Sequence, residues 1–105
     1  MVFKVIDKIK KKDIIHKNYR FTLHSLERRI EREISKSEIE EAIKNGEIIE
    51  DYSEDKYSPS CLILGYTING RPLHIQCSVD PVWIITCYDP SEQSNKWSNN
   101  YKKRR

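Results

Sequence analysis

The dipeptide Asn69-Gly70 constrains this chain more than any other feature. It stands between two runs that read as strands, Cys61 to Ile68 and Arg71 to Val79. Asn-Gly in that setting is a strong hairpin signal, because a two-residue type I′ turn needs positive φ at both positions. A two-residue loop pairs Ile68 with Arg71 and sets Gly65 opposite His74. Leu62, Leu64, Tyr66 and Ile68 then share a face with Leu73, Ile75, Cys77 and Val79, a wholly apolar set. The other face carries Cys61, Ile63, Gly65 and Thr67 with His74, Gln76 and Ser78.

Asp80-Pro81 breaks the second strand, and Trp83 to Tyr88 reads as the last one. A tight turn there would drive Thr86 and Tyr88 into the core. One more loop residue sends Trp83, Ile85 and Cys87 to the apolar face and brings Thr86 and Tyr88 beside His74 and Gln76. Burial favours the second register, and three-residue hairpin loops are common. The expectation is a sheet with one dry face and one open polar face, on which Gly65 leaves room for a ligand beside His74.

Helical spacing dominates the first half. Val2 to Ile15 alternates apolar residues with lysines and predicts an amphipathic first helix. Asn18 to Leu23 is short and extended. From Leu23, the stripe Leu23, Leu26, Ile30, Ile34 predicts a second helix, with Arg28, Arg29 and Arg32 ion-paired among Glu27, Glu31 and Glu33. Ser35 and Glu38 have capping-box spacing and open a third helix. Gly46 is a left-handed stop, and Glu47 to Tyr52 reads as a strand. Ser53 to Pro59 reads as a loop. The predicted fold class is therefore α+β: N-terminal helices on one face of a C-terminal antiparallel sheet of about four strands.

At 105 residues the chain has room for one modest core. We assign 1–90 to a single domain and 91–105 to a polar, basic tail without periodicity. No run is long enough to span a bilayer, and the N-terminus lacks the apolar stretch of a signal peptide, so a cytoplasmic location with no membrane partner is expected. Cys61, Cys77 and Cys87 lie in strand-like segments without CxxC spacing, which reads as core packing in a reducing compartment. No cofactor and no metal site are expected.

Charge is unevenly spread. Residues 1–20 carry seven basic and two acidic side chains, residues 31–55 ten acidic and three basic, and residues 96–105 five basic and no acidic ones. Such segregation marks either a polyanion partner or a solvated surface with a charged tail.

The polar face suggests chemistry. Metal-independent RNA cleavage needs a base for the ribose 2′-hydroxyl, a cation for the phosphorane and an acid for the departing 5′-oxygen. His74 titrates near neutrality and serves as acid or base. Tyr88 is a second proton donor or substrate orienter. Arg28 offers a planar fork to phosphate, and His24 shares its helix face at i and i+4. Arg29, Arg71, Gln76, Lys102 and Lys103 complete the expected substrate-binding set. Judged from composition alone and taken singly, His24, Arg28, Arg29 and His74 each read as structural residues of the surface or the sheet.

The run His24-Ser25-Leu26-Glu27-Arg28-Arg29-Ile30, then Ile34-Ser35 and Asn45-Gly46-Glu47-Ile48-Ile49, resembles an uncharacterised bacterial family, domain of unknown function 4258. Leu64-Gly65, Gly70-Arg71-Pro72-Leu73-His74 and Ile85-Thr86-Cys87-Tyr88-Asp89-Pro90 fit it as well. The similarity covers roughly residues 20–90. That family is similar to RelE- and BrnT-like toxins within the barnase, EndoU, colicin and RelE ribonuclease grouping. The resemblance implies helices followed by a curved antiparallel sheet, RNA cleavage without metal, and the toxin half of a toxin–antitoxin pair. Its partners would be RNA, including ribosome-bound mRNA, and a cognate antitoxin. His24, Arg28, His74, Thr86 and Tyr88 match the family's polar pattern. Typical members have a glycine where this chain has Glu33, which affects the turn between helices. A non-catalytic RNA- or protein-binding module on the same fold is the alternative.

Overall fold

The computed structural model describes residues 19–52, 54, 59–78 and 82–105. The helix expected over Val2 to Ile15, most of the loop over Ser53 to Pro59 and the Asp80-Pro81 break lie outside the described residues. The elements are β1 (Arg20–Phe21), α1 (Leu23–Glu31), α2 (Lys36–Lys44), β2 (Glu47–Tyr52), β3 (Ser60–Tyr66), β4 (Pro72–Ser78), β5 (Trp83–Tyr88) and a 3-10 turn at Pro90–Gln93. The class is α+β, but the sheet has five strands, in the order β1-β5-β4-β3-β2, and it is mixed. The additional strand is β1, which lies in the segment read as extended but not counted in the sheet. Only two of its residues pair, in parallel with Trp83 and Ile84 of β5, and two residues carry no readable alternation.

Both helices begin on side-chain caps. Thr22 accepts from the Ser25 amide, and Ser35 and Glu38 form the expected capping box. The bend between the helices passes through Glu33, at φ 53°. The left-handed region crowds a Cβ against the backbone, so Glu33→Gly should stabilise the domain by about 1 kcal/mol. A urea midpoint no higher than wild type would contradict this. Gly46 is not a left-handed stop. Among the glycines only Gly70 has positive φ, and Gly46 is instead squeezed between Ala42 and Ile63.

The β3–β4 hairpin differs from the expected register by one residue. Thr67 N donates to Arg71 O at 3.0 Å, and Gly70 N donates to Thr67 O at 2.9 Å. The loop is thus Ile68-Asn69-Gly70, with Gly70 alone in the left-handed region at φ 84°. Three residues spare Asn69 the positive φ of a type I′ turn, and the G1-bulge geometry is the next favoured solution. Leu64 therefore pairs with His74, and Gly65 with Leu73. The shift puts Cys61, Ile63, Gly65, Leu73, Ile75 and Cys77 together beneath the helices. Ile34, Ile39, Ala42 and Ile43 pack on them to form the core. Gly65 meets the backbone of Ala42, so it opens no gap beside His74.

The β4–β5 pairing sets His74 opposite Tyr88 and Gln76 opposite Thr86, as expected. A shift between Gln76 and Cys77 then pairs Cys77 with Ile84. One residue is thereby taken up in β5, and the alternation inverts beyond it. Ile84 enters the core in place of Trp83, which is 36% exposed. The prediction of Trp83 in the core is corrected by this bulge.

Helix α1 is also rotated from its expected setting. Leu23 is 73% and Ile30 67% exposed, and only Ile34 of the stripe is buried. The polar edge of β5 fixes the rotation. Thr22 N donates to Ile84 O, Thr22 Oγ1 donates to Ile85 O, and Arg32 Nη1 donates to Cys87 O at 2.6 Å. Satisfying those carbonyls turns Ser25 inward, where it is fully buried.

The second face of the sheet is not open. Residues 91–105, which show no pattern in sequence, form a strap whose Trp97 is buried against His74. A small hairpin closes it, with Ser98 N on Lys103 O at 2.8 Å and Arg105 N on Lys96 O at 3.0 Å.

Candidate functional site

Three strands and the strap build a polar cluster on the face away from the core. His74 and Tyr88 come from β4 and β5, and Glu50 and Tyr52 from β2. Glu50 pairs with Leu62 and Tyr52 with Ser60, so their side chains share the face of His74. The strap adds Trp97, Tyr101 and Arg104.

His74 is completely buried, at 0% exposure. Its Nε2 lies 2.8 Å from Tyr101 O. A carbonyl only accepts, so the network assigns the proton to Nε2. Nδ1 is then the free lone pair and accepts from the Tyr88 hydroxyl at 3.1 Å. The Tyr88 and Trp97 rings meet the imidazole edge-on, at 5.2 and 4.3 Å between centroids. Burial pushes the His74 pKa below its ordinary value, although the Tyr101 carbonyl and the Glu50 charge oppose this. Burial likewise pushes the half-buried Tyr88 up to about 12, with the Arg104 charge opposing. At neutral pH the pair is a neutral imidazole accepting from a protonated phenol.

Beside them, Arg104 grips Glu50 with both prongs, Nε to Oε2 at 2.9 Å and Nη2 to Oε1 at 3.1 Å. Tyr52 donates to the same carboxylate, and the Arg104 guanidinium lies 4.6 Å above the Trp97 ring. Burial alone would raise the Glu50 pKa. The hydrogen bonds from Arg104 and Tyr52 overcome it and hold the carboxyl below its ordinary range. Tyr52 is raised by burial and by its bond to Glu50.

The sequence-predicted residues separate into groups. His74, Tyr88, Thr86 and Gln76 share this face, with Gln76 donating to Ser60 Oγ at 3.2 Å. His24 and Arg28 do not join them. Both ride on α1, where His24 is exposed and Arg28 pairs with Glu31 at 2.7 Å. No hydrogen bond or ion pair among the described residues links either to His74 or Tyr88. Arg29 covers the Phe21 ring at 5.3 Å and donates to Ile34 O. Arg71 is spent on structure. It donates to Asp89 at 3.1 Å and to the carbonyls of Glu33 and Arg32 at 3.0 and 3.2 Å, which ties the hairpin to the end of α1. Lys102 pairs with Glu47 at 2.8 Å, and Lys103 is exposed.

Sequence reasoning missed Glu50, Tyr52, Trp97, Tyr101 and Arg104. The i, i+2 spacing of Glu50 and Tyr52 within a predicted strand was the available signal for the first two. Nothing in the aperiodic tail announces the other three. Among the described residues no group of three His, Cys, Asp or Glu side chains is arranged to hold a metal, and no helix is long and apolar enough to cross a membrane.

No curated protein and no solved structure matches the chain. A family model does match, over residues 21–89, which includes His74, Tyr88, Glu50 and Tyr52 and stops before the strap. On that span, well over half of the sequence, the chain belongs to the DUF4258 family, a domain of unknown function.

Proposed function

We propose that the chain is a cytoplasmic endoribonuclease of the RelE- and BrnT-like kind, the toxin of a toxin–antitoxin pair, acting through Tyr88 and His74. The observation that carries this reading is the Tyr88 hydroxyl donating to the unprotonated Nδ1 of His74. In that arrangement the phenol is a proton relay. As the ribose 2′-oxygen attacks phosphorus, its proton passes to the Tyr88 oxygen while the phenol proton moves to Nδ1. The bond from phosphorus to the 5′-oxygen then breaks, and the same relay runs backwards to protonate the leaving oxygen. A 2′,3′-cyclic phosphate forms, and both side chains regain their starting states. Arg104, whose charge bears on Tyr88, is the cation for the phosphorane. This replaces the role expected of Arg28, which lies on α1 outside the cluster of His74 and Tyr88.

Complete burial of His74 favours a second reading, a non-catalytic RNA- or protein-binding module. Induced expression with RNA integrity as the readout, followed by assay of purified protein with and without ribosomes, separates the two. Wild type should cleave in the presence of a chelator. Tyr88→Phe keeps the ring and removes the relay, so the rate should drop about a hundredfold or more, whereas the loss of the donor to the buried Nδ1 should cost only about 1–3 kcal/mol of stability and leave a folded protein. Wild-type rates in Tyr88→Phe would overturn the assignment. A wild-type protein that cleaves nothing would leave the binding module as the function.

A further inference from the structure

The basic strap spends its charge on the acidic strand at the sheet edge. Lys102 Nζ reaches Glu47 Oε1 at 2.8 Å, and Arg104 holds Glu50 in a fork. Glu47 and Glu50 both belong to β2, the terminal strand. Immediately before Lys102 stands Tyr101, held at φ 62°, a conformation that a side chain with Cβ adopts at a cost. Its carbonyl occupies His74 Nε2. The segment Tyr101–Arg105 is thus held down by ion pairs against its local backbone preference, and it roofs the group on which the proposed chemistry depends.

Surface ion pairs are weak and are screened by salt. The partners that Arg104 and Lys102 now hold are carboxylates. A phosphodiester offers the same charge with oxygens that suit a guanidinium fork equally well. We infer that Tyr101–Arg105 is a latch opened by a polyanion: backbone phosphates of RNA take Arg104 and Lys102 from Glu50 and Glu47, and the Tyr101 carbonyl leaves His74. A ligand shifts an equilibrium only through its preference for one state. Here the open state supplies that preference, because it presents Lys102 and Arg104, freed from their carboxylates, to phosphate together with Lys96, Lys103 and Arg105. The uneven charge of the sequence then serves autoinhibition, with β2 standing in for nucleic acid. The strap lies beyond the span matched by the family, whereas Glu47 and Glu50 lie within it. The latch rests on the ribonuclease reading for its purpose.

The test is amide hydrogen exchange on the full chain, with and without a 2′-O-methyl RNA oligonucleotide. That probe keeps the phosphates and lacks the nucleophile. Binding is followed in parallel by anisotropy. At low salt the oligonucleotide should speed exchange in residues 96–105 at least tenfold while β3 and β4 stay protected. The double variant Glu47→Gln, Glu50→Gln should exchange quickly there without any ligand. If that variant protects its strap as well as wild type does, the latch is overturned. If the oligonucleotide binds and the strap stays protected, the latch is overturned while the RNA reading stands. If the variant loosens the strap but wild type binds no oligonucleotide, the RNA reading falls and the polyanion trigger falls with it.

Discussion

Gly65→Ala should destabilise the domain by about 3 kcal/mol, the upper end of what overpacking a core costs. A Cβ at position 65 would lie 1.8 Å from Ala42 O and 2.4 Å from Ala42 C. The obstacle is helix backbone and cannot rotate away like a side chain. To make room, α2 must lift from β3, and Ile39 and Ile43, both fully buried, would lose contact with the sheet. Small domains have only some 5–15 kcal/mol in hand, so the variant should stay folded in water but lose a large part of its resistance to urea. Gly70→Ala is the internal comparison. Its Cβ meets nothing within 4 Å, and only its φ of 84° opposes substitution, which should cost about 1 kcal/mol. Urea denaturation of the three proteins checks the order. A Gly65→Ala midpoint equal to wild type would mean that α2 does not approach β3 as described.

Local signals in this sequence were legible because they act through few bonds. The Ser35–Glu38 capping box needs only its own four residues, and it is present. Facing positions were legible where burial reinforced alternation, which is why His74 and Tyr88 are partners. Register was less legible. Asn69-Gly70 announces a turn but does not decide between two and three loop residues, and one residue moves every side chain across a sheet. The misplaced Gly65 follows from that single step. Trp83 was misplaced for a different reason, because alternation is carried forward only until a bulge inverts it. The exposed stripe of α1 shows the limit of helical periodicity. The stripe was correctly found, but the unpaired carbonyls of β5 decided which face turned inward. The strap was illegible altogether. Trp97 reaches His74 through a segment with no period, so the sequence suggested an open polar face where the molecule has a second buried layer.

His74→Ala tests that second layer, and it should cost about 3 kcal/mol, where an open-face histidine would cost almost nothing. The substitution leaves a gap beneath the Trp97 ring. It also strips partners from the Tyr101 carbonyl and the Tyr88 hydroxyl in a site largely closed to water. The pH dependence identifies the cause. Burial lowers the His74 pKa from its ordinary value of 6.5, so the native chain stays neutral where the unfolded chain already takes a proton. Stability from this group is complete above pH 6.5 and is lost as pH falls through the depressed native value, by at most about 1.4 kcal/mol per pH unit. Glu50 is also lowered, from its ordinary value of 4.5. Its contribution is lost only below that value, so among the shifted groups of the described residues the interval from 6.5 down to 4.5 belongs to His74. Denaturation curves at pH 7.5 and pH 5 should therefore differ for wild type and much less for His74→Ala, with the gap between the two proteins narrowing at pH 5. A gap that stayed constant, or widened, would show that His74 is charged in the native state and that Nδ1 is not the lone pair on which the Tyr88 relay depends.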